Sequence, residues 1–196
     1  NTTGVYLTAV GYEAGLSNTT ANYSTFIGRK AGRANTTGGS NTFVGADVGA
    51  VNTTGATNVG LGRAALGDNT SGSDNIGIGY NALNSNTVGG RNVAVGRHAL
   101  YSYNPTSATN AYNTAVGYDA LASLTTGANN TSIGGLTLRY VTTGNRNTAL
   151  GYNAANDVTT ASDVTALGAH AGETATTSQQ LTAVGAYAGR YTTTGS

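Results

Sequence analysis

The sequence predicts an all-β fold, a parallel β-solenoid in which eleven copies of one unit stack as successive coils. Three observations predict it. The chain repeats with a period of 17 residues, its apolar residues alternate with a spacing of two inside each unit, and its composition denies it an ordinary core.

The period is plain once phrases such as LTAVGYEAG, STFIGRKAG, NIGIGYNAL and NTALGYNAA are aligned on their first shared glycine. That glycine is Gly11, Gly28, Gly45, Gly62, Gly79, Gly96, Gly117, Gly134, Gly151, Gly168 and Gly185. Every step is 17 residues except one of 21 between Gly96 and Gly117. Residues 1–196 therefore read as a single repeat array with one insertion around 101–112.

The composition fits such an array. There are 30 Gly, one Pro, two Phe and no Trp, Met or Cys, and 9% of residues are charged against roughly 25% in an average domain. Large apolar side chains are too scarce for a thick core, so a folded chain must bury many small ones in a regular lattice. A net charge of +1 with scattered arginines makes no basic stripe for successive phosphates, which argues against nucleic acid as a partner. No stretch nears the roughly 18 apolar residues of a membrane span, so no membrane insertion by this segment is expected, and no signal peptide stands at Asn1. The absence of Cys removes disulfides and thiol chemistry.

Within the unit, the residue before the glycine is Val, Ile or Leu in all eleven copies, from Val10 and Ile27 to Leu167 and Val184. Two residues earlier stands a β-branched residue, Thr8 or Val59 or Ile76 and their equivalents. That alternation makes the phrase a strand and points both columns inward. Three residues after the glycine comes Ala14, Ala31, Val48 or an equivalent, then mostly Gly or Leu, which reads as a second inward pair on a short second strand. Phrases such as Asn35-Thr36-Thr37-Gly38 and Asn52-Thr53-Thr54-Gly55, and the opening Asn1-Thr2-Thr3-Gly4, supply the returning bend, with Gly free to take positive φ and Asn or Thr free to bond nearby backbone. Stacked coils about 4.7–4.8 Å apart would align Asn41, Asn58, Asn75 and Asn92, then Asn113, Asn130 and Asn147, as one side-chain ladder in a rod on the order of 50 Å long.

One column remains. Ala9, Phe26, Phe43, Gly60, Gly77, Ala94, Ala115, Ser132, Ala149, Ala166 and Ala183 alternate with the inward pair and fall on the opposite face of the strand. Nine of the eleven are Ala, Gly or Ser, where a solvated face would carry charge, so a second chain is expected to pack there. The simplest closed assembly is a parallel homotrimer around the long axis. Asn1 and Ser196 enter and leave in mid-pattern with no atypical capping repeat, so a longer fibre is expected around this segment.

Phrases such as NTAVGYDAL and NTALGYNAA with their NTTG turns resemble the head repeats of trimeric autotransporter adhesins, and equally the repeats of phage tail fibres. The resemblance runs through the whole chain, although its 17-residue unit is longer than the adhesin head repeat. It implies a trimeric, left-handed β-roll at the cell surface or on a virion, with a role in adhesion or receptor attachment.

Catalytic chemistry is not expected. His98 and His170 share a column with Glu13, Lys30, Asp47 and Tyr187, and so tolerant a column reads as hydrated surface. The eight acidic residues are scattered, no calcium-binding nonapeptide occurs, and the glycines serve turns rather than a phosphate loop, so no metal, cofactor or catalytic residue is assigned. The insertion carries the only Pro and the tyrosines Tyr101, Tyr103 and Tyr112, which reads either as a tolerated bulge or as a receptor contact to a host glycan or protein. Tyr12, Tyr80, Tyr118 and Tyr152 form a second exposed tyrosine stripe or a neighbour-packing one. The functional expectation is a non-catalytic structural or adhesive segment of an extracellular fibre. The alternatives are an ice-binding solenoid, from pairs such as Thr36-Thr37 and Thr53-Thr54, and a carbohydrate-binding solenoid.

Overall fold

The structure, a computed structural model, describes residues 2–175 and 180–191, so Asn1 of the first turn phrase and Ser196 lie outside the described residues. Its strands are β1 (Thr8–Val10), β2 (Thr25–Ile27), β3 (Thr42–Val44), β4 (Val59–Leu61), β5 (Ile76–Ile78), β6 (Val93–Val95), β7 (Thr114–Val116), β8 (Thr131–Ile133), β9 (Thr148–Leu150), β10 (Thr165–Leu167) and β11 (Thr182–Val184). They form one parallel sheet in sequence order, and no helix occurs among the described residues. The pairing is in register with the repeat: Thr8 faces Thr25, Val10 faces Ile27, and Val93 faces Thr114 across the 21-residue step. The chain is a β-solenoid in which each coil bonds the one above and the one below. Thr25 N donates to Asn41 O at 2.8 Å in the next coil, and Gly28 N donates to Val10 O at 2.7 Å in the previous one.

Each strand lasts three residues because the repeat glycine ends it. Gly28 has φ of 128°, and a Cβ placed on it would stand 2.3 Å from the carbonyl oxygen of Gly45 in the next coil. Glycine backbone therefore rests directly on glycine backbone along the column, which explains its invariance through the array. The chain then folds through two left-handed residues rather than a second strand. Lys30, Asp47 and His98, two residues past the glycine, have φ of 56–59°, and Leu66, Leu83 and Leu121, four past it, have φ of 50–53°. A leucine in this conformation costs on the order of 1–2 kcal/mol. Cross-coil bonds such as Leu83 N to Ala99 O at 2.9 Å hold it there.

The two faces of the sheet are opposite to the sequence expectation. In every strand after the first, the middle residue is buried: Phe26, Phe43, Ala94, Ala115, Ser132, Ala149 and Ala166 have no exposed surface. The aliphatic residue before the glycine is the outward one, with Leu61 47% and Leu150 49% exposed. A period of two fixes the alternation but not its phase, and a one-residue slip exchanges the faces entirely. The narrow lumen decides the phase, because the wall opposite the strand lies close enough that small side chains, or a Phe facing a Gly, fill the space.

That opposite wall is the expected second inward pair. Ala31, Val48, Ala65, Ala82 and Ala99 are buried, followed by buried Leu66, Leu83, Leu100, Leu121 and Leu138. Volume is exchanged across the lumen. Where Phe26 and Phe43 project from the strand, the facing residues are Gly32 and Gly49, on which a Cβ would come within 2.6 Å and 2.5 Å of the rings. Where the strand offers Gly77, the facing side chain is Leu66, whose Cγ would lie 3.1 Å from a Cβ placed there. The two Phe rings stack at 5.6 Å between centroids.

Two asparagine ladders close the coil. Asn58, Asn75, Asn92, Asn113, Asn130 and Asn147 are fully buried, and each Oδ1 accepts the amide N–H of the residue one coil on, as in Asn75 to Asn58 at 3.0 Å. Except at Asn92, which donates to Gly90 O at 3.1 Å, their Nδ2 groups donate to the turn carbonyls of the next coil, as in Asn75 to Gly89 O at 2.9 Å. This is the ladder the sequence predicts. The turn asparagines make the second: Asn52 Nδ2 donates to Asn35 Oδ1 at 2.7 Å and to Gly55 O at 3.0 Å. Past Asn86 that column turns apolar, through Tyr103, Leu124, Val141 and Val158, all fully buried.

Candidate functional site

Three surfaces carry side chains that the fold leaves available. The first is the outer sheet face. Each strand contributes a β-branched residue and an aliphatic one, and in β4, β5 and β6 both are apolar: Val59 and Leu61, Ile76 and Ile78, Val93 and Val95. Val10, Ile27, Leu61, Ile133, Leu150 and Val184 are exposed along its length. Eleven rungs in ten steps of about 4.8 Å and a width of about 10 Å give a face on the order of 500 Å², aliphatic along one column throughout and along both in β4, β5 and β6, with Thr in the other column elsewhere. Contiguous apolar patches of that size mark interaction sites on soluble proteins.

The second surface follows the residue after the repeat glycine, where arginines and tyrosines alternate from Arg63 through Tyr80 and Arg97 to Tyr118. The guanidinium of Arg97 lies 5.8 Å from the Tyr80 ring centroid and 5.5 Å from that of Tyr118, and Arg63 approaches Tyr80 at 5.7 Å. Tyr12, Tyr80, Tyr118 and Tyr152 are exposed, as the sequence suggests. The adjoining histidines are less hydrated than their column implied. His98 Nδ1 lies 3.3 Å from Asp119 Oδ1, within ion-pair distance though not aligned as a hydrogen bond, and Arg139 reaches the other oxygen of that nearly buried carboxylate at 3.1 Å. His170 Nδ1 lies 3.0 Å from Glu173 Oε2, whose carboxylate also takes Arg190 and Asn153. These groups staple successive coils. No cluster of three or more metal-binding side chains occurs among the described residues.

The third surface is the insertion, and here the three tyrosines part company. Tyr103 is 0% exposed, so it drops out as a receptor contact. It stands seven residues past Gly96, in the core column otherwise held by Asn86 and Leu124, and counting from the glycine would have placed it there. Burial pushes its hydroxyl pKa up, with Thr109 alongside, although the hydroxyl makes no hydrogen bond of ordinary geometry. Tyr101 is 38% exposed and packs its ring 5.2 Å from that of His98. Tyr112 is 51% exposed, and Arg91 donates to its hydroxyl at 2.5 Å while lying over its ring. The extra residues fall after Asn104, whose amide still bonds Thr125 O at 2.9 Å, and before Thr109, whose carbonyl accepts Gly90 N at 2.8 Å.

The repeat glycines have a wholly structural part in this arrangement, as the column on which the coils rest. What sequence reasoning missed is the outer aliphatic ladder and a groove beside the insertion, lined by Ser71, Ser73 and Asn110. No protein-family model matches the chain, and no curated protein or solved structure is significantly similar to it.

Proposed function

We propose that this chain is a non-catalytic structural and adhesive segment of an extracellular fibre, on a bacterial surface or a phage tail, assembled from parallel copies of itself. The observation that carries the reading is the unbroken aliphatic column on the outer sheet face, from Val10 to Val184. An uncovered flat sheet face of this length would expose hydrocarbon to water at every rung, at about 25 cal/mol per Å². Parallel copies meeting through it would bury all rungs in one register, since every coil presents the same pair. Three copies about the long axis give the simplest closed arrangement, with the three sheets facing inward. The partner-facing column is thus Val10 and its equivalents, in place of the Ala9 column that the sequence suggested and that is buried from β2 onward.

The sparse charge supports a passive shaft over an enzyme, as does the engagement of each histidine–carboxylate pair by an arginine of the following coil. The ice-binding alternative loses one of its two ranks of hydroxyls: the first Thr of most turns donates its Oγ1 to the next coil's carbonyl, as Thr36 to Thr53 O at 3.0 Å and Thr53 to Thr70 O at 2.9 Å.

Sedimentation velocity and chemical cross-linking test the reading. The expected species is a trimer that the paired substitution Leu61→Lys and Ile78→Lys converts to a monomer with an unchanged far-ultraviolet spectrum. A wild-type chain that stays monomeric at high concentration overturns it.

A further inference from the structure

We propose that the groove beside the insertion, between Ser73 and Asn110, is a binding site for a neutral saccharide. It rests on the adhesive part of the reading above for its purpose, and on the following geometry for its chemistry. The groove has a volume of about 330 Å³, within the range of small-ligand pockets. It forms because the insertion displaces the chain between coils. Counted back from Gly117, Asn110 takes the place of Gly72, Gly89 and Gly127, but the insertion shifts it by one residue so that it pairs with Gly90 instead of Gly89.

Three of the polar groups that line it are unspent. One column along the turn has its backbone amides capped wherever the following coil offers a side-chain acceptor: Val5 N donates to Asn22 Oδ1 at 2.8 Å, Ala56 N to Ser73 Oγ at 3.0 Å, and Ala128 N to Asn145 Oδ1 at 2.8 Å, whereas Asn22 and Gly39 are followed by Gly39 and Ala56 and their amides are uncapped among the described residues. At Ser73 the following residue in that column is Gly90, which has no side chain to accept. The Ser73 amide is therefore left without an acceptor among the described residues, in a residue that lines the groove. The Ser71 hydroxyl and the Asn110 side-chain amide also line the groove and make no hydrogen bond among the described residues. The Asn110 Oδ1 would stand 3.2 Å from a Cβ placed on Gly90, so it reaches over that glycine.

The ligand class follows from what is present and what is not. The lining supplies a backbone N–H that donates, a side-chain amide and a hydroxyl that each donate and accept, and no charged side chain. Val88 and Ala108 supply an apolar wall, the complement of the C–H face of a sugar ring. An anion would find its one nearby cation, Arg91, occupied by Tyr112 and Asp74.

The test uses substitutions that make these coils resemble their neighbours and so preserve the fold. Asn110→Gly restores the glycine of the column, and Ser71→Val introduces the residue that Val88 already provides one coil on. The whole chain is applied to immobilised neutral oligosaccharides of hexoses and N-acetylhexosamines, with sialylated and sulfated ones alongside. Binding to neutral members, reduced at least tenfold by each substitution with assembly state and melting behaviour unchanged, is the expected result. No binding to neutral members, binding confined to the anionic ones, or binding indifferent to both substitutions overturns the proposal. Failure of the fibre reading would show separately, as a monomer by sedimentation that still binds sugar.

Discussion

Replacing Asn75 with Ala should be among the most damaging single changes of a small polar residue in this chain. Asn75 is fully buried in the ladder beneath β5. Its Oδ1 accepts the Asn92 amide at 3.0 Å and the Asn92 side chain at 3.2 Å, and its Nδ2 donates to Gly89 O at 2.9 Å. Two of these losses are cushioned, because Asn92 Nδ2 keeps Gly90 O at 3.1 Å and Gly89 O keeps Asn86 Nδ2 at 2.9 Å. The Asn92 amide has no substitute acceptor and is stranded where water does not reach, at about 1–3 kcal/mol, and the lost bond to Gly89 adds about 1 kcal/mol. Asn75→Ala should therefore cost about 2–4 kcal/mol, read as a lowered denaturant midpoint at an unchanged assembly state. The control is Asn84→Ala, at a partly exposed residue with one bond to Ala64 O at 2.8 Å, which should cost about 1 kcal/mol or less. Equal midpoints for the two variants would refute the account of the ladder.

Leu83→Ala opens a cavity in a fully buried site and should cost about 2–5 kcal/mol, but Leu83→Gly should cost no more despite the larger void, because glycine relieves the φ of 50°. Denaturation midpoints of the two variants check this, and a Gly variant clearly worse than the Ala variant would speak against backbone strain at that column. Burial would raise the Glu173 carboxyl, but the bonds from His170 and Arg190 outweigh it and hold its pKa below the ordinary carboxylate range. A carboxylate with a depressed folded-state pKa stabilises at neutral pH and loses that contribution as pH falls through the carboxylate range. Glu173→Gln should thus be less stable than wild type at pH 7, with the difference closing in acid; a difference independent of pH would contradict it.

The period, the single sheet, its register and the positions of all eleven strands were legible because each rests on a column that the repeat writes many times over. The phase of the strands was not, because both alternating columns are apolar and neither bears the charge that normally marks a solvated face. The discriminating signal lay in size. Phe26 and Phe43 occur where the residue four past the glycine is Gly32 or Gly49, and Leu66 and Leu83 occur where the strand offers Gly60 or Gly77. Such compensation has meaning only between residues that share an enclosed volume. The second strand failed for a different reason: two left-handed residues per coil are unfavourable for Lys, Asp or Leu alone, and only the bonds to neighbouring coils make them acceptable. The groove was illegible because it depends on which amide the Gly90 position leaves uncapped, a matter of cross-coil geometry rather than of composition.

If the lumen is filled by exchange rather than by fixed residues, the exchange should be portable from coil to coil. Phe43→Ala empties a fully buried ring site and should cost about 3–5 kcal/mol. Gly49→Leu alone should also destabilise, since its Cβ would stand 2.5 Å from the Phe43 ring. Together the two substitutions recreate the Ala and Leu pairing that Ala94 with Leu100 and Ala115 with Leu121 already use, and Gly49, with φ of 51°, has the backbone that Leu100 adopts at the same value. The double variant should be more stable than either single one, with a coupling of about 2–3 kcal/mol, at the upper end for residues in contact. Some loss should remain, because the stack of Phe43 on Phe26 is broken and Phe26 still faces Gly32. Additivity within about 0.5 kcal/mol would mean that the columns do not share a volume, and a narrow shared lumen could then no longer explain why the faces of the sheet are inverted.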